Sequence, residues 1–122
     1  MDALLHQVGG LLESQTRDRI ANEKKDPKGK DWVPWSENYA KTRHSGHSLL
    51  QNEGDMLDSI QYVVSSGSVE VGTNMVYGKT QQYGRPKDGI PARPFLGLSD
   101  DNIEEINDEI ESWLRDEMGL LL

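Results

Sequence analysis

The feature that most constrains this chain is the stretch 90–99, which reads IPARPFLGLS. It holds two of the five prolines and the only phenylalanine, with Arg93 fixed between the prolines. Each proline pins its own φ and pushes the residue before it away from the helical region. Ile90, Ala92 and Arg93 are therefore expected to run extended. The stretch ends at Ser99, followed by Asp100, Asp101 and a periodic apolar pattern, so Ser99 is the expected N-cap of a last helix. A stiff strap thus delivers an aromatic anchor and launches a helix. Phe95, Leu96 and Leu98 on that strap must bury against something, either in this chain or in another.

The helix that follows places Ile103, Ile106, Ile110, Trp113 and Leu114 on one face at steps of three and four, with carboxylates on the other. Between Ser99 and Met118 there are nine acidic residues and one basic residue, Arg115. The formal charge of −8 therefore belongs to this one helix, because the first 98 residues carry twelve of each sign. Asp100, Asp101, Glu104 and Glu105 also suit the positive end of the helix dipole. A broad basic face for phosphate contacts is disfavoured, which makes nucleic acid an unlikely partner.

A chain of 122 residues suits one domain, taken here as residues 1–122. Its hydrophobic content of 34% and mean hydropathy of −0.72 imply a thin core. Apolar area completed by a partner subunit is one way to offset that. The absence of cysteine removes disulfides and thiolate metal sites. No apolar run is long enough to span a membrane, and the N-terminus has no signal-peptide pattern. The expected setting is a cytoplasm, with no membrane partner.

Earlier in the chain, residues 2–22 read as a first helix, with Leu5, Val8, Leu12 and Ile20 near helical spacing and Leu4 and Leu11 widening the stripe. Gly9-Gly10 interrupts it at about 1 kcal/mol per glycine, which a bend or a close contact would explain, a functional hinge being the lesser reading. Residues 22–31 form a polar loop whose Lys24, Lys25, Lys28 and Lys30 alternate with acids, a solvated face before it is a phosphate site. Asp26-Pro27 with Gly29 signals a turn. Trp32 and Trp35 flank Pro34, and packing onto a core outweighs stacking on a ligand. Ser36 is placed to cap a short helix.

His44 and His47 lie either side of Gly46 with no third ligand at a recognised spacing, so no metal is assigned. A helical turn is expected at residues 55–60, with Met56, Leu57 and Ile60 inward. Residues 61–73 read as a β-hairpin turning at SSGS, with Val69 and Val71 alternating against Ser68 and Glu70. Residues 75–83 read as a helix presenting Val76, Tyr77 and Tyr83, stopped by Gly84. A basic loop at residues 85–89 leads back to the strap, and the final Gly119-Leu120-Leu121-Leu122 either docks or frays.

Catalysis needs converging groups with tuned pKa values, and this sequence has no nucleophile elbow, phosphate-cradling loop or Cys–His pair. Its carboxylate pairs all lie along one helix at spacings natural to a solvated face. Neither a catalytic residue nor a cofactor is assigned, and binding or assembly is the better class.

The order of features resembles the phage virion morphogenesis family, the tail completion proteins of Mu-like and related contractile-tailed phages. The matching stretches are Pro27-x-Gly29-x-x-Trp32-x-Pro34, Leu50, Gly54-x-Met56-Leu57-x-Ser59-Ile60, Val71-Gly72-Thr73, Tyr77-Gly78, Gln82-Tyr83-Gly84 and the whole strap from Ile90 to Ser99. The chain departs at Gly78, where alanine is common, and at Tyr83, where phenylalanine is common. The resemblance implies an α+β protein with an N-terminal helix, short helices, a central β-hairpin within a small antiparallel sheet, and a C-terminal amphipathic acidic helix. It implies a non-enzymatic structural protein of the virion, made in the host bacterial cytoplasm, that completes tails or joins head to tail. It also implies a homo-oligomeric ring, a hexamer among the candidate sizes, against tail tube, sheath or connector proteins.

Within that frame the interaction candidates are Arg93, Phe95, Leu96, Trp32, Trp35, Tyr77 and Tyr83. Arg93 is expected to meet a carboxylate while Phe95 and Leu96 fill a pocket, within the chain or across an interface. The competing expectation is a small module that binds a ligand through the Trp32/Trp35 loop or nucleic acid through the Lys24–Lys30 loop.

Overall fold

The computed structural model describes residues 2–34, 55–75, 78–88 and 91–117. Expectations for Trp35, the Ser36 cap, His44, His47, Leu50, Gly54, Val76, Tyr77, Ile90, residues 119–122 and the side chain of Met56 fall outside them.

The first helix, α1, runs over Asp2–Asp18 and passes straight through Gly9-Gly10. Leu4 and Val8 are buried, while Leu5, Leu11 and Leu12 are half-buried. Gly9 is explained by a close contact. The Tyr62 ring lies against Gly9 so tightly that a Cβ there would sit 2.3 Å from Cδ2. Gly10 has open space.

Beyond Asp18 the helix widens into a π-turn over Arg19–Glu23, closed by the Lys24 N–H on the Arg19 carbonyl at 2.9 Å. Lys24 stands at φ 57°, a left-handed residue without the glycine that usually ends a helix there. The lysine loop then folds around Asp26. Its Oδ1 accepts from the N–H groups of Lys28 and Lys30 at 2.9 Å each, and Gly29 turns at φ 88°. The expected turn is thus an Asx-type loop, in which the side chain replaces main-chain partners.

A single helical turn, α2, at Asp55–Asp58 leads into the hairpin. Strands β1, Gln61–Ser65, and β2, Ser68–Gly72, pair antiparallel from Gln61↔Gly72 to Ser65↔Ser68. Gly67 takes the left-handed position of the two-residue turn at φ 75°. Tyr62, Val64, Val69 and Val71 are half-buried, and α1 packs on both strands. On the other face Val63 is 60% exposed. Among the described residues the sheet has two strands.

Helix α3, Gly78–Tyr83, begins later than the periodicity predicts and ends at Gly84, whose N–H bonds the Thr80 carbonyl at 2.7 Å. A 3-10 turn at Pro86–Asp88 follows. The last helix, α4, covers Asp100–Glu117. Its start carries a reciprocal cap. The Asn102 N–H donates to Ser99 Oγ at 3.0 Å, and the Ser99 N–H donates back to Asn102 Oδ1 at 3.1 Å. Asparagine does here what glutamate or glutamine does in the usual capping box. Among the described residues no helix is long and apolar enough to cross a membrane.

Among the described residues the core is small, in keeping with the composition. Ile20, Trp32, Ile60 and Phe95 form it, with Leu57, Val71, Met75 and Leu96 packed against them. Four segments thus meet at one point. The architecture is α+β: a helix laid on a hairpin, a second long helix against the first, and the strap sealing the junction.

Candidate functional site

The strap is the centre of this architecture, and its main-chain groups between Arg93 and Leu96 are taken up one by one. The Arg93 N–H donates to the Gln81 carbonyl at 2.6 Å. Pro94 has no N–H, and its carbonyl accepts from Trp32 Nε1 at 2.7 Å. The N–H groups of Phe95 and Leu96 both donate to Gln82 Oε1 at 3.0 Å, while Gln82 Nε2 returns a bond to the Leu96 carbonyl at 3.3 Å. The Gln82 amide therefore acts as a short surrogate strand. The Phe95 carbonyl accepts from Arg19 Nη1 at 2.8 Å. Buried main-chain groups left without partners cost about 1–3 kcal/mol each, which is why an extended segment needs such dedicated partners.

Arg19 is the least expected member of the site. Its side chain is 1% exposed, yet it sits in the turn after α1 beside Ile20. Besides Phe95 it bonds Asn102 Oδ1 through Nη2, and it approaches Glu23 at 4.0 Å. Burial lowers its pKa from the ordinary guanidinium value, while Glu23, Asp18 and Asp26 act in the opposite direction. An arginine remains charged under such a pull. Gln15 adds a second tie, donating to the Asn102 carbonyl at 3.2 Å and to Glu105 Oε1 at 2.8 Å. So the end of α1, the strap and the start of α4 are one hydrogen-bonded junction.

The sequence-predicted residues divide sharply here. Phe95 is fully buried within its own chain, and Trp32 is 5% exposed. This answers whether the strap's aromatic anchor buries within or between subunits: its ring lies inside the single chain. Trp32 is likewise a core residue whose Nε1 is occupied, so it offers no face for stacking on a ligand. Leu96 is half-buried against the same core. Arg93 is 8% exposed, and its guanidinium donates to two carbonyl oxygens, Nε to Val33 at 2.7 Å and Nη2 to Pro34 at 3.3 Å. Tyr83 is 71% exposed, and Val33 and Leu98 are also largely open.

The apolar face of α4 is covered only in part. Ile106, Ile110, Trp113 and Leu114 are half-buried and Ile103 is 43% exposed. On its outer side Asp108, Glu111, Ser112 and Arg115 line a shallow groove of about 220 Å³, in which Arg115 pairs with Glu111 at 3.0 Å. Among the described residues no group of three or more His, Asp or Glu side chains is arranged to hold a metal ion.

Comparison with known proteins fits this picture of a structural junction. The family model described as the phage virion morphogenesis family matches residues 1–115. The chain belongs to the phage virion morphogenesis family. Among its relatives, the putative capsid assembly protein G of Escherichia phage Mu is 27% identical over 118 residues, covering 88% of this chain and 76% of that protein. The Mu-like prophage FluMu G protein 1 of Haemophilus influenzae is 31% identical, covering 84% and 72%. An uncharacterized protein of Methanocaldococcus jannaschii is 34% identical, covering 76% and 73%. No solved structure matches the chain. A role in phage assembly follows from this membership, and it associates the protein with the virion.

Sequence reasoning missed Arg19, Gln82, Asn102 and Gln15. Asn102 had a signal, since it stands three residues after Ser99, where a capping box places its second member. Gln82 lies in a stretch that carried the family resemblance. An arginine beside Ile20 in a polar helix end gave none.

Proposed function

We propose that this protein is a non-enzymatic assembly factor that completes the tail or joins head to tail, working as a ring of identical subunits with a hexamer as the size to test first. The observation that carries this reading is the family match over almost the whole chain, residues 1–115. The structure supports it in a further way. The polar groups that converge at the strap are engaged with one another in holding three segments together, the work of a scaffold rather than of a reaction centre. Among the described residues, surfaces open to partners include the acidic face of α4 and the exposed apolar residues Val33, Val63, Tyr83, Leu98 and Ile103. A tube, sheath or connector protein with a basic patch fits the first of these.

The Mu relative, a putative capsid assembly protein, favours a second reading, in which the protein acts on the head side. Deleting the gene and viewing lysates by electron microscopy separates the two. The favoured reading expects normal filled heads beside unjoined or irregular tails. Aberrant heads with normal tails support the head-side reading. Normal infectious particles overturn both.

A further inference from the structure

Among the described residues, no strand pairs with either outer edge of the hairpin. Its two-residue turn makes Ser65 and Ser68 a bonded pair, so the ladder bonds fall on Gln61, Val63 and Ser65 with Gly72, Glu70 and Ser68. The main-chain N–H and C=O groups of Tyr62 and Val64 therefore point away from β2, and those of Val69 and Val71 away from β1. Among the described residues these groups make no hydrogen bond. The edges carry few of the devices that ordinarily block strand addition. β1 reads QYVVS, without charge or proline, and β2 reads SVEVG with Glu70 alone. An isolated pair of strands is marginal, and further strands steady it.

We propose that the partner at these edges is a second copy of this chain, with β2 of one subunit pairing antiparallel to β1 of the next. The inference rests on the self-assembling reading and names the surface it uses. The two edges match. Carrying the hairpin's own register across the contact sets Val69 opposite Val64 and Val71 opposite Tyr62. The half-buried apolar face toward α1 then continues from subunit to subunit. Glu70 falls opposite Val63, which is 60% exposed, so no like charges face each other directly. A foreign strand would satisfy one edge and leave the other bare, whereas a copy satisfies both in every subunit. The contact is head-to-tail, the type that closes into rings.

The absence of native cysteine makes the test simple. Val63→Cys and Glu70→Cys proteins are oxidised separately and as a mixture, and wild type is sedimented over rising concentration. Across the proposed contact these positions form a close non-bonded pair suited to a disulfide. The expected result is a disulfide-linked dimer in the mixture and in neither protein alone. A dimer from Val63→Cys alone would mean β1 pairing with β1, and overturns the head-to-tail edge. Wild-type oligomers without any cross-link overturn the edge contact but leave self-assembly standing. Wild type that stays monomeric to ~1 mM, an association weaker than about −4 kcal/mol, overturns both. A second variant, Val64→Pro, removes one outward N–H without touching the ladder. It is expected to lose association while keeping the wild-type circular dichroism, and unchanged association in a folded Val64→Pro counts against the edge.

Discussion

A single amide side chain illustrates how this small fold holds an extended segment inside. Gln82 gives Phe95 and Leu96 the acceptor that a neighbouring strand would otherwise supply, and takes one bond back from Leu96. Gln82→Leu keeps comparable bulk but strands two N–H groups. A loss of about 2–4 kcal/mol is expected, read as a lower denaturation midpoint with an unchanged slope. Arg19 works on the same segment from the other side, through the Phe95 carbonyl. Neither role is visible from composition, because a buried glutamine or arginine is recognisable only once its partners are known. The glycine at position 9 was legible in kind and not in detail. The sequence left a bend or a close contact open there, and the ring of Tyr62, from a strand more than fifty residues away, could not be named.

Helices and turns were the most legible elements, since their signals are local. Ser99 caps α4 as expected, and Asp26 with Gly29 turns the lysine loop. The hairpin emerged at its expected place because period-two alternation and a Ser-Gly turn agree. What local signals could not supply was the π-turn after α1, where the chain departs from the expected run of helix in order to swing Arg19 inward. The cap of α4 also has a testable energy. Ser99→Ala removes the acceptor for the Asn102 N–H and loosens Asn102, which Arg19 uses as well. The expected cost is about 1–2 kcal/mol, at or above the ordinary value for a cap, measured by thermal or chemical unfolding. Asn102→Ala should cost more, since it removes the same reciprocal bond and one partner of a buried guanidinium.

For the whole molecule, the informative fact is that the core cluster has so few members among the described residues. Ile20, Trp32, Ile60 and Phe95 come from the turn after α1, the loop behind it, the entry to β1 and the strap, and Phe95 is fully buried among them. Phe95→Ala should therefore cost about 3–5 kcal/mol. That is a large share of the 5–15 kcal/mol typical of a domain. The loss should appear in the unfolding of the isolated subunit, whatever its state of association. A purely interfacial anchor would instead leave subunit unfolding unchanged and weaken only self-association. The thin core was foreseeable from composition, and so was the charge asymmetry that makes α4 a polyanionic rod on an otherwise neutral body. The closing role of the strap was foreseeable only as a burial that had to occur somewhere.

The junction built around Phe95 also has a consequence in time. Arg19 and Phe95 are 76 residues apart, and Gln15 and Glu105 are 90 apart. A chain emerging from the ribosome at roughly 5–20 residues per second therefore shows Ile20, Trp32 and Ile60 for several seconds before their lid is synthesised. Contacts of such long range also slow folding after release. Until the last fifth of the chain arrives, the nascent protein is a helix and a hairpin with an unfinished core and two bare strand edges. A subunit made this way reaches its assembly-competent form late, so the moment of synthesis and the moment of assembly are separated by the folding of its own C-terminal segment.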